Sequence, residues 1–96
     1  MVDHLVFFGV REEASQEAVE DLLSSIRGLK DEVSSTVDLT VGEDFSGRSG
    51  DYTHALFARF EDQAGLQEYM KHPAHLAVVE KLDERTTGRI VADYES

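Results

Sequence analysis

Four stretches of this sequence alternate apolar and polar residues at a period of two, and the segments between them switch to helical spacing. That order of periods restricts the chain to very few folds. Residues 2–10, rich in Val and Phe, read as a strand. From Ala14 to Leu29 the apolar positions Ala18, Val19, Leu22, Leu23, Ile26 and Leu29 fall on one helical face, with Ser15 as its N-cap and Gly28 near its end. Thr36 to Gly42 returns to period two through Val37, Leu39 and Val41. Residues 45–51, with two glycines and two serines, form a loop. Tyr52 to Phe60 is a third strand. Asp62 caps a short helix to about Tyr69, and Pro73 starts another whose stripe is Leu76, Val79 and Leu82. Gly88 ends that helix and Arg89 to Tyr94 is the last strand.

The order βαββαβ, with its second helix broken at Pro73, predicts an α+β fold: a ferredoxin-like plait with an antiparallel four-stranded sheet, strand order 4-1-3-2, and helices on one face. Strands one and three are expected side by side and parallel. Ninety-six residues supply one core and no more, so residues 1–96 are read as a single domain. Side-chain parity sorts the sheet faces. His4, Val6, Phe8 and Val10, with His54, Leu56, Ala58 and Phe60, are expected under the helices. Leu5, Phe7, Ala55, Phe57 and Val91 then occupy the other face, which is too apolar to be left in water. A second copy of the sheet is the expected cover, giving a two-fold homodimer.

Composition excludes several classes. Nine Lys and Arg stand against twenty Asp and Glu, a net charge of −11. Such a chain repels phosphate backbones and anionic lipid, so neither nucleic acid nor membrane is an expected partner. There is no Cys, which removes disulfides and thiolate chemistry. The longest apolar run, Leu5 to Val10, is too short to span a bilayer, and the opening Met-Val-Asp-His has no basic leader region. A soluble, cytoplasmic protein is expected.

Any chemistry therefore rests on the histidines. With strands one and three parallel, His4 and His54 lie at one end of the core, and Tyr69 and His75 return to that end. Four polar side chains would then converge on the mouth of an apolar core, the usual pattern of a binding site. Each has an ordinary structural reading beside this one: a core-edge histidine for His4, a backbone-bonded one for His54, a core aromatic for Tyr69 and a helix-end residue for His75. His72, before the proline, reads as structural. Three imidazoles from His4, His54 and His75 would also form an open metal or haem site, although no carboxylate stands beside them and Tyr69 is an awkward neighbour for zinc. The Gly47-Arg48-Ser49-Gly50 loop lacks the length and the Lys of a phosphate-binding loop.

His4-Leu5-Val6, Gly42-Glu43-Asp44, Tyr52-Thr53-His54, the run Tyr69-Met70-Lys71-His72-Pro73-Ala74-His75 and the closing Asp93-Tyr94 resemble the stress-responsive α/β-barrel (Dabb) family over residues 3–94. The resemblance implies a dimeric α/β barrel, two plaits packed sheet to sheet. Most members have no assigned reaction, but one, a plant polyketide cyclase, closes a linear polyketide by aldol chemistry without a cofactor. By that resemblance His75 is the general base, Tyr69 its hydrogen-bonding partner, and His4 and His54 line the pocket. A pocket-wall tyrosine of the cyclase falls on Ile26 here, which alters the acyl tunnel. The implied ligand is an apolar or aromatic small molecule; a non-catalytic ligand-binding dimer is the alternative.

Overall fold

A computed structural model describes residues 1–96. Its elements are β1 (Val2–Val10), α1 (Gln16–Glu32), β2 (Thr36–Glu43), β3 (His54–Phe60), α2 (Gln63–Lys71), α3 (Pro73–Arg85) and β4 (Thr86–Glu95). The helices begin where side chains satisfy free backbone N–H groups. Ser15 Oγ accepts from Ala18 N and caps α1, and Asp62 Oδ1 accepts from Gly65 N and caps α2. His72 Nδ1 accepts from Ala74 N, so His72 caps α3 immediately before Pro73 at its first position. The structural reading of His72 is the correct one. Helix α1 runs past Gly28 and the expected end at Leu29 to Glu32. Gly88 lies inside β4, not at the end of α3.

The sheet order is β2-β3-β1-β4, the expected 4-1-3-2 plait. All three pairings are antiparallel, including β1 with β3. This corrects the expected parallel pair. A chain that enters β3 by a hairpin from β2, itself parallel to β1 after one helical crossover, must run against β1.

Parity places the faces as expected on β1 and β3. Val6, Phe8, Leu56, Ala58 and Phe60 are buried beneath the helices with Leu22, Ile26, Leu29 and Leu82. On α3 the buried stripe is His75, Val78 and Leu82, while Leu76 points to solvent. The register therefore differs by one position from a stripe of Leu76, Val79 and Leu82, and it turns His75 inward. The other sheet face carries Leu5, Phe7, Ala55 and Phe57, all half-buried. Ile90 joins them, since it pairs with Phe7, whereas Val91 pairs with Val6 and so faces the helix side at the sheet edge. At one margin of this apolar face, Arg59 Nε and Nη2 donate to the Asp3 carboxylate at 2.7 and 3.1 Å. That fork holds the Asp3 carboxyl below its usual range.

Candidate active site

Antiparallel pairing separates the four expected site residues. His4 is opposite Ala58, and His54 is opposite Phe8, four residues further along β1, or about 13 Å. His4, Tyr69 and His75 come together at one end of the core; His54 stands at the other. The helix α2 spans only nine residues before the break at Pro73, so Tyr69 stays beside Phe60, where β3 ends.

The three that meet form a chain of rings. His4 and Tyr69 are edge to face with centroids 5.8 Å apart, and Tyr69 and His75 lie 4.5 Å apart at 47°. Phe60 backs Tyr69 at 5.0 Å. Tyr69 touches His75 through its ring and makes no hydrogen bond to it. All three are buried, Tyr69 to 1% exposure. Burial, with no compensating charge, pushes the Tyr69 phenol up to about 12, so it stays protonated at neutral pH.

His75 occupies the third position of α3, and its Nδ1–H donates to the Met70 carbonyl at 3.2 Å. A carbonyl only accepts, so the proton is on Nδ1 and Nε2 keeps a free lone pair. Burial lowers the His75 pKa, which keeps the ring neutral. The pair therefore consists of a neutral base and a neutral acid in contact.

Asp93, not among the expected site residues, completes the arrangement. It pairs with His4 across β1 and β4, and its carboxylate accepts a short hydrogen bond from His4 Nδ1–H. A carboxylate only accepts, so the proton at this edge of the His4 ring is on Nδ1. The Asp93-Tyr94 ending was visible in the sequence, but its partner depends on the β4 register. Asp93 also lines a cleft of about 290 Å³ with Val2, Leu66 and Tyr94, and neither Tyr69 nor His75 is on that wall.

His54 is buried and stacked on Phe8, centroids 5.3 Å apart with the ring planes 11° from parallel. Ile26 is fully enclosed in the core. With His54 remote, three imidazoles do not converge, and no three His, Asp or Glu side chains form a metal-holding group. The reading of a metal or haem site built on His4, His54 and His75 is thereby overturned by the strand direction.

A four-stranded antiparallel plait with its helices on one face is the fold of proteins described as dimeric and ferredoxin-like. The Stress responsive A/B Barrel Domain (Dabb) family matches residues 2–96, and the chain belongs to it. A crystal structure of a protein from Arabidopsis thaliana superposes with a TM-score of 0.90 at 24% identity, covering 100% of this chain and 95% of that one. A dimeric ferredoxin-like protein of unknown function from Jannaschia sp. is 25% identical, with a TM-score of 0.85 over 99% of this chain and 98% of its own. A hydroxynitrile lyase from Passiflora edulis is 20% identical, with a TM-score of 0.89 over 97% of this chain and 90% of its own. No curated protein matches. No helix is long and apolar enough to cross a membrane.

Proposed function

We propose that this protein is a cytoplasmic, cofactor-free homodimer that abstracts a proton alpha to a carbonyl of an apolar small molecule, in the manner of an aldol-type polyketide cyclase. The observation that carries the reading is the protonation pattern of the Tyr69–His75 pair. The Met70 carbonyl holds the His75 proton on Nδ1, so Nε2 is free to accept one from carbon. The Tyr69 phenol, held protonated by burial, then donates to the enolate oxygen that forms. His4, oriented by Asp93, supports the tyrosine from behind. His54 stands at the other end of the sheet, four residues along β1 from His4, so in this reading it takes no part in the proton transfer, and Ile26 is part of the enclosed core.

The test is deuterium exchange at the alpha carbon of an acetoacetyl thioester in D2O. The protein is expected to accelerate exchange, and His75→Ala to lose about 10²–10⁴-fold of that rate with its circular dichroism intact. Equal rates in the two proteins would sink the reading.

The close packing of Tyr69 favours a second reading, a non-catalytic dimer whose ring cluster only stabilises the core. It expects Tyr69→Phe and His75→Ala to change stability and nothing else. The homodimer is supported by the apolar sheet face, half-exposed Ile90 included, and by relatives described as dimeric.

A further inference from the structure

The end of the sheet that carries His54 opens onto a groove of about 640 Å³ between α1 and the ends of β1, β2 and β3. Its floor is apolar: Val10 from β1, Val19 and Leu23 from α1. Its rim carries two carboxylates, Glu20 on α1 and Glu43 on β2, and no Lys or Arg lines it. Glu43 is directly opposite His54 in the β2–β3 register, so the two share a face.

His54 itself is 6% exposed and belongs to the wall of this groove. Its Nδ1 is 2.7 Å from Thr53 Oγ1. That hydroxyl also accepts from Val10 N and donates to the Phe8 carbonyl. One proton assignment makes all three bonds at once: Nδ1–H donates to Oγ1, and Oγ1–H to the carbonyl. Nε2 is then a bare acceptor with no protein partner, on a ring that burial keeps neutral. An acceptor nitrogen, two carboxylates and an apolar floor together call for a ligand with hydrogen-bond donors, positive charge and a hydrocarbon body.

We propose that this groove is a second binding site, for a small organic ammonium ion whose apolar part lies on Val10, Val19 and Leu23 while its N–H groups face His54 Nε2 and Glu43. The site is separate from the Tyr69–His75 pair: His54 is opposite Phe8, four residues along β1 from His4, which packs on Tyr69, and neither Tyr69 nor His75 lines the groove.

Titration of the ¹⁵N-labelled full chain, followed by amide chemical shifts, tests the assignment with three probes of equal length: n-hexylammonium, hexan-1-ol and hexanoate. Hexylammonium is expected to give saturable shifts at Val10, Leu23, Thr53 and His54, with the alcohol at least about fivefold weaker and the carboxylate silent. Glu43→Gln, a surface change, is expected to weaken hexylammonium about two- to fivefold, and Glu20→Gln with it to weaken binding further. His75→Ala is expected to leave the affinity unchanged, so loss of the proposed chemistry and loss of this site are told apart. Hexanol binding as tightly as hexylammonium, non-saturating shifts, an unaltered Glu43→Gln, or a changed affinity in His75→Ala would each overturn the proposal.

Discussion

His75 and His54 are both buried, and burial lowers the pKa of both. Each has its Nδ1 tied to an oxygen that fixes the tautomer, a main-chain carbonyl for His75 and the Thr53 hydroxyl for His54. They differ in what surrounds the ring. His75 sits among rings, with Tyr69 against it and His4 beyond, while His54 borders an open groove rimmed by carboxylates. The same side chain in the same protonation state thus suits proton transfer at one end of a sheet and recognition of a cation at the other. Chemistry at each end is decided by the neighbours rather than by the imidazole.

The contrast depends on Phe8, and the largest expected effect comes from removing it. Phe8→Ala deletes a fully buried ring that packs on His54, and is expected to cost about 3–5 kcal/mol of stability by urea unfolding. In that variant a ligand at the His54 groove is expected to perturb amides around Tyr69, which it does not in the parent; continued silence there would mean that other side chains separate the ends. A second effect concerns assembly. Leu5→Glu places a charge at the centre of the apolar sheet face, opposite Phe57, and light scattering is expected to fall from twice the 10.7 kDa chain mass to one. An unchanged mass would locate the dimer contact elsewhere.

Asp93→Asn sharpens the Tyr69 end alone. It weakens a bond to a buried histidine from a half-exposed partner, so a loss of about 1 kcal/mol is expected. The deuterium-exchange rate should drop with it while hexylammonium affinity holds; an unaltered exchange rate would remove Asp93 from the site. The smallest effect is in pH. The native pKa of both His54 and His75 lies below the unfolded value, so the unfolded chain binds more protons as pH falls. Their contribution is fully present above about pH 6.5 and is lost as pH drops toward the native values. His54→Gln is expected to flatten the fall in urea midpoint between pH 7.5 and 5.5 by its own share. A curve parallel to the parent's would show that His54 is already accessible to protons.

Strand alternation in the sequence discloses which face a side chain occupies, because parity is the same whichever way a strand runs. It says nothing about which end. His4 and His54 were rightly placed on the helix side, yet antiparallel pairing put them at opposite ends. On β4 even the parity reading fails, since Ile90 and Val91 are consecutive apolar residues and either could lead the alternation. Its register, with a shift at Gly9/Val10, decides in favour of Ile90 and also brings Asp93 to His4. By contrast, the Pro73 break is local and legible, whereas the capping role of His72 emerges only from the structure. The Tyr69–His75 contact follows from that break, as two short helices at an angle bring residues six apart together where one straight helix would not.

The four-residue step along β1 from His4 to Phe8 sets the two ends of this small protein apart. A change that retunes the acid–base pair need not disturb the groove, and a new rim residue need not disturb the pair. A chain of 96 residues can in this way diverge at one end while the other is held fixed, which gives a single compact scaffold two independent lines of variation.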